Sequence, residues 1–506
     1  MKYLSFFDNK TSKTSLAITI IVGLVTYNLY FVNGLTNPDG IIEGLTSFIN
    51  AGWVIQGCGR WLLAILTYLS GNVVMPFASI IGYCVCVWLS SLLISRIWKQ
   101  DSFVFIIVCP IIMIVSPAVV THFSYNAVAF PYSLAMLLST IYVYLCFEKN
   151  GFMSYFFGVF CIVCSLGIYQ NYIGYAACLV LMAIAIKLIK KEAIKDILKK
   201  VIISFVIAII GSVLYAIVLK LILLILNMQS SSRIANISLS FITNNLLANI
   251  KTTYTSYFNY FNDSVLFRKY IFICIFAILA IVLIASTINH PLIDSFIIVV
   301  SILLIPLASN IVLLIIPDQT ATTCMSYQYM LIVPFTLAIA INLNKSIFVN
   351  YVAIIITLIL SWTYVISANA TYSCYKLSYN YINNQMSQVT YDIEHNENYI
   401  LDETPVIVGG FIDDDTLRNN IKTYKYAIDL PENVAFWKQQ VGVTYNRQKY
   451  FMNFFGIDFK DIDYSEYLKI INSNEYTNMP IWPKDGSITK IDKYLVVKLD
   501  NSPVKD

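Results

Sequence analysis

Acidic residues are scarce through most of this chain. The first 369 residues hold ten Asp or Glu, and charged residues of both signs make up 12% of the 506. With 58% hydrophobic residues and a mean hydropathy of +0.69, this scarcity excludes an ordinary soluble enzyme and a disordered chain. A polytopic membrane protein remains. Histidine is scarcer still: His122, His290 and His395 are too scattered for a histidine-based metal site. Cysteine is present without a framework. Eight of the eleven lie inside apolar runs, and Cys161-x-x-Cys164 has no companion pair, so core packing explains them better than zinc. Cys58, Cys324 and Cys374 are expected to face outward, which leaves room for one Cys324–Cys374 disulfide. No Ala-x-Ala-like cleavage site follows the apolar run 16–32, so that run reads as a retained first helix.

What the chain has in abundance is apolar runs long enough to cross about 30 Å of hydrocarbon. They fall near 15–33, 76–95, 103–117, 130–147, 152–168, 172–189, 201–226, 270–288, 293–316, 327–343 and 346–367, eleven in all. At Tyr169-Gln170-Asn171-Tyr172 two helices would share almost no loop, and a re-entrant hairpin there would change the count by two. Loops assigned inward carry thirteen Lys or Arg, against five outward: Arg60, Arg233, Lys251, Arg268 and Lys269. That bias puts the N-terminus in the cytoplasm and the C-terminus outside. Basic residues confined to short loops are a topology signal and not a nucleic-acid one. Beyond residue 369 the balance reverses, with 19 acids against 14 bases. A polar helical stretch (372–395) precedes strand-like runs at 405–408 and 494–499.

The expected fold is therefore a polytopic α-helical membrane protein of about eleven transmembrane helices, with a small periplasmic C-terminal α/β domain. The membrane domain covers 1–369, with an outer-interface helix at 39–53 and an outer loop at 228–268; the C-terminal domain covers 370–506.

Apolar residues at Ile41, Ile42, Leu45, Phe48, Ile49 and Trp53 have helical spacing and form one stripe. Asp39, Glu43, Ser47 and Asn50 fall opposite. Asn37-Pro38-Asp39 supplies a helix start with an acid at the positive end of the dipole. The segment reads as an amphipathic helix lying in the outer interface. Its acids have two readings: the wet face of such a helix, or groups that handle a proton. Only Asp39, Glu43, Asp263 and Asp318 face outward before residue 370 on this topology, so outer-face acid–base chemistry draws on these four or on the tail.

Asn37-Pro38-Asp39-Gly40, Gly59-Arg60-Trp61 and Gly167-Ile168-Tyr169-Gln170 resemble the serotype-converting O-antigen glucosyltransferases of the Gtr type, found in phages of enteric bacteria. The resemblance extends to the architecture of cytoplasmic start, many spans and periplasmic C-terminal domain. It implies a GT-C glycosyltransferase of the bacterial inner membrane. The implied donor is undecaprenyl-phosphate-glucose, and the implied acceptor is a sugar of a lipid-linked O-antigen repeat. The competing enzyme reading keeps the fold and changes the acceptor to lipid A or another glycan. A flippase or transporter of lipid-linked sugars is the competing class. Charges gathered outside rather than mid-membrane favour an enzyme.

Displacing a lipid phosphate from an anomeric carbon needs a base for the acceptor hydroxyl. The phosphate already leaves well, so the acidic partner of a glycosidase pair is dispensable. Asp39 is the expected base, with Glu43 the second candidate or an acceptor-positioning group. Arg60, Arg268 and Lys269 are the outward cations at membrane edges and candidate phosphate ligands, although Arg60 beside Trp61 also suits an interfacial anchor. Tyr169, Gln170, Arg233 and Asp318 are candidate substrate contacts, although a tight polar turn accounts equally well for the first two. A divalent metal has no clear ligand set, because Asp413-Asp414-Asp415 reads more readily as a solvated loop.

Overall fold

The computed structural model describes residues 9–35, 52–71, 73–125, 127–229, 239–288, 290–314, 321–343, 347–401, 403–410, 412, 415–428 and 462–501. Asp39, Glu43, Arg233, Asp318, Asp413 and Asp414 lie outside them, as does most of the expected helix 39–53. The chain divides into two compact units, Met1–Phe31 with Thr46–Asn369 and Val32–Leu45 with Ala370–Asp506.

The first unit is helical. α1 (Lys10–Asn33) and α2 (Trp61–Leu69) are followed by α3 (Pro76–Ile97), α4 (Phe103–Ile114) and α5 (Pro117–Ser124). Then come α6 (Ala129–Glu148), α7 (Phe152–Ile168), α8 (Tyr172–Ile189) and α9 (Ile194–Ile225). α10 (Leu239–Tyr260), α11 (Arg268–Thr287), α12 (Leu292–Leu303), α13 (Ile305–Ser309) and α14 (Ile332–Leu343) lead to α15 (Ile347–Glu394). Eight helices among the described residues are long and apolar enough to cross a membrane, or nine if the bent pair α4–α5 is one span. Two shorter apolar helices, Phe152–Ile168 and Tyr327–Ile341, coincide with two further runs of the sequence.

The 47° bend between α4 and α5 has a local cause. Pro117 opens α5 while Ser116 before it is extended (φ −54°, ψ 140°), the conformation a following proline favours. Tyr27 donates its hydroxyl to the Ile114 carbonyl at 2.6 Å, which satisfies a backbone acceptor left open where α4 ends. α6 packs between α3 and α7, and α7 in turn packs on α9. α9 leaves Ile202, Phe205, Ile209, Val213 and Leu224 exposed, a surface suited to lipid rather than water.

The stretch 228–268 differs from the expected loop, because α10 occupies much of it. Thr253, Tyr257 and Phe261 are buried, and their spacing of four places them along one face of a helical path. The polar residues between them keep its mean hydropathy below that of a span. Pro306 sits in the first turn of α13 and divides the apolar run near 293–316. All eleven cysteines are free thiols, and Cys324 and Cys374, for which one bridge was open, belong to different units. An apolar setting for most of them supplies packing instead.

In the second unit the polar stretch after 369 is no separate helix: α15 runs unbroken from Ile347 to Glu394. β1 (Val406–Gly409) pairs in parallel with β3 (Tyr494–Lys498), which pairs antiparallel with β2 (Ile488–Ile491). The short α16 (Asp415–Asn420), α17 (Tyr464–Ile471) and α18 (Asn474–Asn478) complete it. Ile407, Tyr467, Ile470, Tyr476, Tyr494 and Val496 share a core between the sheet and α17–α18. Buried Lys498 donates to the carbonyls of Tyr476 and Thr477, where a cation meets the closing end of a helix.

Candidate active site

Two short segments, far apart in sequence, meet in the first unit. One begins with Gly52 in the left-handed region and winds through a π-helical turn, Trp53–Gly57. Gly59 closes it, also left-handed at φ +69°, and Arg60 stands at the start of α2. The other is the three-residue connection Tyr169–Asn171 between α7 and α8. Tyr169 is extended (φ −156°, ψ 112°), which ends α7 abruptly and turns the polar side chains of the connection toward the first segment.

The contact is specific. Gln170 donates its amide to the Cys58 carbonyl at 2.7 Å and to the Tyr215 hydroxyl at 2.7 Å. Tyr215 in turn donates to the Gly59 carbonyl at 3.0 Å. Both carbonyls of the turn before Arg60 are thereby held. The Trp61 ring lies against Gly167, where a Cβ would approach ring atoms at 2.7–2.8 Å. Glycine is required there by close approach, since α7 is regular at that point.

Arg60 is enclosed by aromatic rings. It donates to the Tyr132 hydroxyl at 2.9 Å, and its guanidinium lies 4.5 Å from the Tyr169 ring centroid. Tyr132 and Tyr169 stack with centroids 4.5 Å apart and planes 10° from parallel. Burial opposes the charge, yet an arginine stays protonated in any case. Its Nε is buried without a hydrogen-bond partner, as is the Trp61 indole nitrogen. Among the described residues no carboxylate pairs with it. A sheltered cation with an open donor and no counter-ion is costly unless an anion completes it.

Around this pair lies a supporting shell that the sequence did not single out. Tyr169 meets the Cys324 thiol at 3.6 Å, and the Cys324 carbonyl is 3.1 Å from His122 Nε2. A carbonyl only accepts, so Nε2 carries the proton, and Nδ1 lies 2.8 Å from the Tyr83 hydroxyl. His122 is fully buried. Asn171 and Gln328 both donate to the Met325 carbonyl, tying the connection to the 323–331 segment. Tyrosines inside apolar runs look like core, which hid Tyr132 and Tyr215. The polar interruption Thr121-His122-Phe123-Ser124-Tyr125 after a broken span was the available signal for His122.

The other predicted cations are placed differently. Arg268 is buried and donates its Nε to Asp263 at 2.7 Å, with Ser367 taking another donor at 2.6 Å and Tyr364 beneath the guanidinium at 4.8 Å. Asp263 also accepts from the Val265 amide. Lys269 is exposed beside it. The structure thus brings Arg60, Tyr169 and Gln170 together, and gives Arg268 partners of its own. Among the described residues no three His, Cys, Asp or Glu side chains converge as metal ligands would.

The sequence model of the family described as glucosyl transferase GtrII matches residues 30–339, a range that holds both meeting segments. No curated protein and no solved structure matches the chain.

Proposed function

The chain belongs to the glucosyl transferase GtrII family, and from that membership we propose a specific reaction and site. Glucose passes from undecaprenyl-phosphate-glucose to a sugar of a lipid-linked O-antigen repeat, by inverting single displacement at the periplasmic face of a bacterial inner membrane. The N-terminus is cytoplasmic, and eleven crossings carry the C-terminal unit outside; the lysine bias between inward and outward loops supports this orientation.

Arg60 is the donor-phosphate ligand. The observation that carries this is its open, buried Nε in an aromatic enclosure with no described carboxylate. As the bond from the anomeric carbon to the phosphate oxygen breaks, the phosphate goes from one negative charge toward two. A fixed guanidinium binds that second charge more strongly than the first, so its contribution grows toward the transition state. Tyr132 and Tyr169 hold its plane, and Gln170 holds the turn that presents it. The acceptor hydroxyl attacks the opposite face of the sugar and gives its proton to Asp39, with Glu43 the alternative base. Asp263 is unsuited to that role, since Arg268 and a backbone amide already occupy its oxygens. Arg268 serves to fasten α11 to α15.

The test is transfer of labelled glucose from undecaprenyl-phosphate-glucose in membranes carrying each variant at equal level. Arg60→Ala is expected to lower the rate about 10²-fold or more, and Asp39→Asn about 10²- to 10⁴-fold. If Asp39→Asn keeps full activity and Glu43→Gln loses it, the base is Glu43. Full activity in all three variants would remove the mechanism.

A further inference from the structure

An open cleft of about 430 Å³ in the second unit is lined by Ser387, Gln388, Tyr391, Asp392, Trp482 and Pro483. Four of these form one stripe on α15, at the three- and four-residue steps that share a helix face. The others stand on the turn before β2. Both walls are fixed in place. Trp482 donates its indole N–H to Asp392 at 2.9 Å, and its backbone N–H to the Lys498 carbonyl at 2.9 Å. Tyr391 is 60% exposed and stacks on His395 at 3.9 Å. Ser387 donates to the Asn383 carbonyl, which leaves its oxygen lone pairs as acceptors.

We propose that this cleft is a binding site for a neutral glycan, a subsite for a part of the acceptor other than its reacting sugar. Its chemistry selects a polyol. Two aromatic groups present apolar faces to the C–H side of a sugar ring. A carboxylate oxygen, an amide and a hydroxyl remain to meet ring hydroxyls. Among the described residues neither lysine nor arginine lines it, a lining that favours a neutral ligand over a phosphate or an acidic sugar. A volume near 430 Å³ falls within the range of small-ligand sites. Binding a long acceptor here would raise its effective concentration for transfer. The identification of this glycan as the acceptor rests on the proposed reaction; the cleft's preference for a neutral glycan does not.

The experiment uses the full chain in lipid nanodiscs and polysaccharide released by mild acid from the host lipopolysaccharide. Binding is followed by isothermal titration and transfer is measured in parallel. Tyr391→Ala and Trp482→Ala are each expected to weaken binding about tenfold and to raise KM for long acceptors while leaving kcat unchanged. Tyr391 is exposed on a helix face, so its variant remains informative if Trp482→Ala disturbs the turn. Arg60→Ala is expected to bind the glycan as the wild type does. Unchanged binding and KM in both aromatic variants would overturn the subsite, as would choline binding there in place of the glycan. Glycan binding that Tyr391→Ala abolishes, without any sugar transfer, would leave the subsite standing and overturn the reaction.

Discussion

At the scale of single residues, Gly167 and Gly59 matter because of what sits against them. A Cβ on Gly167 would meet the Trp61 ring at 2.7 Å, so Gly167→Ala must displace either Trp61 or α7. Overpacking of this kind costs about 1–3 kcal/mol, and here it falls on the contact that positions Arg60. The expected outcome is a lower thermal midpoint in detergent together with reduced transfer. The double variant Gly167→Ala/Trp61→Leu should recover part of both, a non-additivity that marks direct contact. Additive losses would mean that the two residues act separately. Arg60 itself was legible in the sequence as a cation beside a tryptophan, and Gln170 as a polar residue between two apolar runs. Their junction was not legible. Gln170 reaches Cys58 across 112 residues, and no local pattern records a pairing made only when helices pack.

At the scale of elements, hydropathy revealed the apolar runs because lipid-facing and core-facing residues are both apolar, leaving length as the dominant signal. The same signal missed α10, whose buried residues among those described are Thr253 and Tyr257, with buried Phe261 just past its end, within a polar sequence. It also missed the end-to-end continuity of α15, because a helix that leaves an apolar setting changes composition without changing conformation. Arg268 shows how a cation expected to face outward can have structural partners. Its partner Asp263 is five residues away, across a left-handed pair, Leu266 and Phe267, that sequence spacing does not reveal. Asp263→Asn would leave the buried guanidinium without its carboxylate. The expected loss is near the lower end of about 3–5 kcal/mol, because Asp263 keeps 30% of its side-chain exposure. Lys269→Ala, on an exposed position, should stay within about 0.5 kcal/mol. Comparing thermal midpoints of the two purified variants checks this, and equal midpoints would deny Arg268 its fastening role.

At the scale of the whole molecule, charge is distributed by location. The described ion pairs of the first unit lie at helix ends: Lys187 with Glu148 and Glu192, Lys99 with Glu192, Arg96 with Asp101, and Arg268 with Asp263. Arg60 stands apart as a sheltered cation with an open donor, in a family of glucosyltransferases. Binding of a polyprenyl phosphate through Arg60 is what the proposed reaction requires of this chain. The most direct measurement is equilibrium binding of labelled undecaprenyl phosphate to the purified full chain in nanodiscs, with no sugar and no acceptor present. Wild-type protein and Lys269→Ala are predicted to bind alike, and Arg60→Ala at least about tenfold more weakly, as loss of a charge-assisted hydrogen bond implies. Equal affinity in wild type and Arg60→Ala would contradict the account.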